Sequence, residues 1–146
     1  MCSYCGCEAE KVMKGLSDEH EAIAFLARQI VDNLDQGDIA TAAMQTAQLA
    51  DLFDRHGTSE ENGLFRQLLL AGEAVEEVEN LLADHIKFRN GFGSPTAASR
   101  PDELRELLKE LVNHAELEET DLFPYAWQVL PGESWDVIEA AKVWDS

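Results

Sequence analysis

Four histidines are the residues best placed to do chemistry: His20, His56, His85 and His114. Each falls on the apolar stripe of a separate helical segment. One core-facing histidine is ordinarily a hydrogen-bonded structural residue. Four are harder to dismiss: if about a third of helix positions face the core, chance placement of all four there is on the order of 1%. Two also have a glutamate four residues on, in His56-Gly-Thr-Ser-Glu60 and His114-Ala-Glu-Leu-Glu118. Positions i and i+4 lie one above the other, ~6 Å apart along the axis. Each pair therefore points an imidazole and a carboxylate into the same volume. A surface His–Glu contact is the ordinary account of such a pair, but apolar residues flank both pairs on the same face. An ionised carboxylate buried there is costly unless it is paired or metal-bound.

Four imidazoles and two carboxylates form a borderline nitrogen and oxygen set, suited to iron, manganese or zinc. Six protein ligands are too many for one tetrahedral zinc. They suit two metals, each with two imidazoles and both bridged by the carboxylates, with positions left open for an exogenous ligand. Competing motifs are absent. Glu-x-x-His fails because Ser17, Phe53, Leu82 and Leu111 stand three before the histidines. His-Glu-x-x-His fails because Ala24 follows His20-Glu21. No cysteine lies on a helix face to act as a nucleophile, and no Gly-rich phosphate loop is present.

The elements that must position these residues are helices. The first stripe is Met13, Leu16, His20, Ile23, Ala27, Ile30 and Leu34, alternating spacings of three and four. This helix begins near Glu8, or later if Ser17 or Asp18 caps it. It ends at Asp35-Gln36-Gly37, and Asp38 is a good N-cap for the next. The second stripe is Ala42, Leu49, Leu52, Phe53, His56, Glu60, Leu64 and Gln67. Gly57 and Gly63 interrupt it, each costing a helix ~1 kcal/mol, so something else must hold that stretch helical. The third stripe is Val75, Val78, Leu82, His85 and Phe88, stopped by Asn90-Gly91-Phe92-Gly93-Ser94-Pro95. The fourth is Leu104, Leu107, Leu111, His114, Glu118, Asp121 and Tyr125, with Pro101 near its start and Pro124 bending or ending it. A tail helix over roughly 134–144 offers Trp135, Ile138 and Trp144 to the bundle. The expected fold is all-α: an up-down-up-down antiparallel four-helix bundle with a short C-terminal helix. His85 lies much nearer its turn than His114 lies to Pro101. The mismatch of about seven residues is ~10 Å, so the loop over 90–100 must climb beside the bundle.

The 146 residues make one domain's worth of chain, read as a Cys-containing segment over 1–10, the bundle over 11–130 and the tail over 131–146. Lys and Arg number 11 against 29 Asp and Glu, a net charge of −18. A nucleic-acid partner or an anionic membrane surface is excluded on those grounds. No apolar run is long enough for a membrane span, and no secretory signal opens the chain, so a cytoplasmic protein is expected.

One His on helix one, His-x-x-x-Glu on helix two, one His on helix three and His-x-x-x-Glu on helix four resemble the hemerythrin-like (HHE cation-binding) family. Asp18-Glu19-His20-Glu21-Ala22-Ile23 and the stretch from His114 to Pro124, with Leu122-Phe123-Pro124, are similar to its signatures. The similarity covers roughly 16–125. It implies a four-helix bundle around two non-haem iron ions with a bridging oxo or hydroxo group. Carried over by position, the ligands are His20, His56, Glu60, His85, His114 and Glu118. Oxygen carriers of the family have a fifth histidine, as His-x-x-x-His on the third helix. Here the residues four away from His85 are Leu81 and Arg89. The carriers also place an Asp five after the last His, where this chain has Glu119; Glu118 is preferred because it lies on the stripe, and a contribution from Glu119 or Glu61 stays open. The four-histidine pattern resembles the bacterial subgroup with catalase-like peroxide removal. The partner expected is thus a small oxidant (hydrogen peroxide, O2 or NO), with a reductant protein beside it. A reversible O2-binding protein or an O2 or iron sensor is the alternative, and a zinc-binding structural bundle a third.

Cys2, Cys5 and Cys7 are the other chemical feature. An odd, clustered set is no disulfide framework. Three readings stand: incidental thiols at a terminus, a Cys-x-x-Cys redox pair feeding the iron, or a second, soft-metal site.

Overall fold

The protein, described by a computed structural model over residues 7–144, is all-α, and the described residues contain no strand. Cys2 and Cys5 lie outside that range; Cys7 is exposed at the first residue of α1. Helix α1 spans Cys7–Asp35, so Ser17 and Asp18 sit within it rather than capping a late start. Gly37, at φ 77°, supplies the left-handed turn that ends the helix. Asp38 then caps α2 (Ile39–Glu60), its side chain accepting from the Thr41 amide at 3.2 Å.

Two wide π turns reset the stripes. After α2, a π turn over Glu61–Phe65 leads into α3 (Arg66–Leu70). A π turn adds a residue per turn and rotates everything after it. Leu68, not Gln67, is consequently buried, together with Phe65. After α4 (Val75–Phe92) and α5 (Pro101–Leu117), a second π turn over Glu118–Leu122 precedes α6 (Phe123–Val129). It turns Leu122, Phe123 and Ala126 inward, while Asp121 and Tyr125, expected inside, face out. Pro124 does not end the rod. It occupies the first turn of α6, where its missing N–H costs little. Two stripes also differ by single residues: Leu81 and Leu108 are buried, where Leu82 and Leu107 are only partly so, and Val75 is exposed. Helix α7 covers Gly132–Ala140, shorter than the expected tail, and buries Trp135 and Ile138.

Helix α1 packs on α2 and α5, α2 on α4, and α4 on α5, closing a ring of four rods. A short 3₁₀ turn over Ala97–Ser99 lies against α2 with Ala98 buried. The apolar interior is split in two. One cluster gathers Leu16, Leu64, Phe65, Leu81, Leu122 and Trp135. The other gathers Ile23, Phe53, Phe88, Leu108 and Leu111. The four histidines and two glutamates fill the layer between them. No helix among the described residues is long and apolar enough to cross a membrane.

Candidate metal centre

Each rod delivers its histidine to that layer, and π turns bound both glutamates. Glu60 is the last residue before the first wide turn and Glu118 the first residue of the second. The structure brings all six together as two overlapping groups: His20, His56, Glu60 and Glu118, and Glu60, His85, His114 and Glu118. Within each group one donor atom per residue lies within 4.8 Å of the others. Both carboxylates belong to both groups. Glu60 Oε1 is 3.2 Å from His56 Nε2 and 3.3 Å from His85 Nε2. Glu118 Oε1 is 2.8 Å from His20 Nε2, and its Oε2 is 3.2 Å from His114 Nε2.

All six side chains are buried, Glu60 and Glu118 completely. The four Nε2 atoms and the four carboxylate oxygens nevertheless make no hydrogen bond and face only one another. Native interiors seldom leave such atoms unsatisfied. Eight of them converging on one volume fit a cation there, and the donor set, two imidazoles with shared carboxylates in each half, fits a non-haem metal.

The outward nitrogens are all engaged. His56 Nδ1 is 2.7 Å from Glu19, His85 Nδ1 2.7 Å from Glu61, His114 Nδ1 3.0 Å from Asp84 and His20 Nδ1 3.3 Å from Glu119. An ionised carboxylate only accepts, so each Nδ1–H donates and each Nε2 points inward. The four carboxylates form a cycle around the bundle. Glu19, beside His20, serves α2; Glu61, beside Glu60, serves α4; Asp84, beside His85, serves α5; Glu119, beside Glu118, serves α1. Glu61 and Glu119 therefore orient imidazoles rather than join the inner layer. Outer contacts hold them: Arg89 Nη1 donates to Glu61 at 2.6 Å, and Ser17 Oγ to Glu119 at 2.8 Å. The sequence signal for this outer layer is an acidic neighbour beside a ligand on every helix, but spacing alone does not say which helix it serves.

Gly57 and Gly63 are explained by close approach. A Cβ at Gly57 would stand 3.0 Å from Arg89 Nη2 and 3.3 Å from His85 Nδ1. One at Gly63 would stand 3.3 Å from the Ile138 carbonyl oxygen of α7. The tertiary contacts they permit hold the stretch helical.

The carboxylates of the layer favour protons on the imidazoles. Burial alone would lower the histidine pKa values, but the surrounding carboxylates outweigh it. Glu118 and Glu119 raise His20 to about 9, Glu60 and Glu19 raise His56 to about 10, and Glu60 and Glu61 raise His85 to about 9. His114 is raised in the same way by Glu118 and Asp84. Burial would raise the Glu60 carboxyl, yet His56 and His85 hold it well below the ordinary carboxylate range.

Residues 11–126 match the hemerythrin HHE cation binding domain. No curated protein and no solved structure matches the chain significantly.

Proposed function

The chain belongs to the hemerythrin HHE cation-binding family, and from that premise we propose a non-haem di-iron protein that reacts with a small oxidant, hydrogen peroxide foremost. His20 and His56 would hold one iron and His85 and His114 the other, with Glu60 and Glu118 available to both. The observation that carries this reading is the convergence of eight buried, unpartnered donor atoms from four helices on one volume. When bound, the iron pair supplies two-electron redox chemistry with its charge spread over both ions.

The protein's own residues do the rest. Glu19, Glu61, Asp84 and Glu119 keep the four Nδ1–H groups pointing out, so Nε2 faces inward without rotamer loss on binding. The paired carboxylates supply two negative charges to offset bound cations. Leu81 and Arg89 stand four residues to either side of His85, where carriers of the family have a fifth histidine on this helix. Neither is an iron ligand, so a coordination position that the protein fills in the carriers is left to an exogenous molecule here, which supports reaction with peroxide over O2 carriage alone. Phe53 and Phe65 stand against His85, and Phe123 stacks on His20, keeping the layer dry. The test is iron-loaded protein mixed with hydrogen peroxide while O2 is followed at an electrode. Catalytic O2 release supports the reading. One equivalent consumed without turnover contradicts the catalase-like part.

A further inference from the structure

The four histidines have similar outer partners but different surroundings, and this asymmetry points to a route of entry. The inference rests on the di-metal reading above.

The His56 side of the His20–His56 half is walled by residues 142–144, beyond the part that matches the family, while Glu119 and Ser17 flank His20. Lys142 Nζ lies 3.5 Å from Glu19 Oε2, the oxygen that Glu19 does not give to His56. Gly15 makes room for it, since a Cβ there would stand 2.6 Å from Nζ. The Val143 amide donates to Ser59 Oγ at 2.9 Å. Trp144 sets its ring edge-on to His56, centroids 6.4 Å apart. Glu19 is 2% exposed beneath this strap.

In the other half Glu61 and Arg89 cover His85 in the same way, and the His114 side has no such cover. Asp84, which holds His114, is 46% exposed. It opens into a cleft of about 600 Å³ between α4 and the rod formed by α5 and α6. The floor includes Leu81, one turn before His85, and Leu122, one turn after Glu118. Leu117, half-exposed, stands at the mouth. The charged lining residues are Glu77, Asp84 and Asp121, with no Lys or Arg among the lining. An apolar floor under an acidic rim admits small uncharged molecules and repels anions.

We propose that the exogenous ligand is a small uncharged molecule that enters by this cleft, crosses between Leu81 and Leu122, and meets the His114 side of the centre, while the strap of Lys142, Val143 and Trp144 closes the His56 side. Leu117 and Leu81 then determine access, and the acidic rim selects for neutral ligands.

The test uses full-length ferrous-loaded protein and nitric oxide, followed by stopped-flow absorbance. Leu117→Trp fills the mouth from an exposed position without disturbing the core, and should slow association about tenfold. Leu81→Phe narrows the floor and should slow it as well. Met44→Trp, an exposed site on α2 away from the cleft, is the control and should leave the rate within twofold. Unchanged rates in both leucine variants would overturn the route. With ferric-loaded protein and azide, raising the salt from 0.01 to 0.3 M should speed association several-fold, as screening shortens the reach of the rim from roughly 30 Å to under 10 Å. Nitric oxide should change less than twofold over the same range. Azide slowed by salt would overturn the selection. Crystals of metal-free protein under xenon give a readout that needs no iron. Xenon against Leu81 and Leu122 is expected; xenon at Trp144 and none in the cleft would overturn the proposal. Failure to take up iron would sink the functional reading, and the xenon result would still decide the cleft.

Discussion

Replacing Glu19 with Gln separates orientation from charge at one imidazole. Gln can still accept the Nδ1–H of His56 through its carbonyl, so ring geometry survives. What goes is a negative charge 2.7 Å from Nδ1, at 2% exposure, where solvent screens little. The leftover NH2 also turns toward Lys142, which lay 3.5 Å from Glu19 Oε2. Partners of this kind are worth about 10- to 100-fold in metal affinity. With full burial and a new N–H facing an ammonium, Glu19→Gln belongs at the upper end, about 100-fold or 2.7 kcal/mol. Asp84→Asn makes the parallel change at His114, but Asp84 is 46% exposed and water can replace it. Its cost should fall at about tenfold or less. The assay is anaerobic chelator competition for ferrous ion, with far-ultraviolet circular dichroism to confirm the fold. Equal losses in the two variants, or a larger loss in Asp84→Asn, would refute the argument that burial sets the worth of each outer carboxylate.

Other expectations follow from the same layer and its supports. The raised pKa values of His20, His56 and His85 mean that metal-free folded protein holds protons the unfolded chain has released. That stability is fully present below about pH 6.5 and is lost as pH rises through about 9 to 10. The melting temperature of chelated protein should therefore fall from pH 6.5 to 10, while iron-loaded protein stays level. A rise over that range would contradict the assignment. Iron uptake at pH 7.5 in weak buffer should release protons, measurable with a pH indicator, since metal replaces them at Nε2. Gly63→Ala should destabilise by about 1 kcal/mol net, because its methyl meets the Ile138 backbone and overpacking exceeds the gain in helix propensity; thermal melts check it, and a higher melting temperature would contradict it. Trp135→Ala, emptying the largest fully buried side chain, should cost about 3–5 kcal/mol by urea titration, and a loss below 1 kcal/mol would place α7 outside the cooperative core.

Most of the inner layer was legible because a helix projects i and i+4 onto one face. Periodicity alone put His20, His56, His85 and His114 inward and joined Glu60 and Glu118 to them. It failed where the helix stops being α. The turns over Glu61–Phe65 and Glu118–Leu122 shift the face by a residue, so an α count carried through them points Gln67, Asp121 and Tyr125 inward, where the structure buries Leu68, Leu122 and Ala126 instead. The cycle of Glu19, Glu61, Asp84 and Glu119 was out of reach for another reason. Each partner sits on a different helix, and rotation of one rod against the next is a tertiary fact. The strap of Lys142 to Trp144 was half legible: Trp144 reads as a packing residue, but only the fold places it on His56. The two glycines carried a sound warning, and their reason, close approach of Arg89 and α7, lies in contacts distant along the chain.

The most direct test of the account is metal stoichiometry. Protein reconstituted anaerobically with ferrous ion, desalted and measured by plasma mass spectrometry should hold about two irons per chain, as two imidazoles and shared carboxylates in each half require. A charge-transfer band should appear on oxidation. Glu118→Ala, which removes a donor from both halves, should lower the content at both. One iron per chain, zinc retained in its place, or no band on oxidation would contradict a carboxylate-bridged iron pair.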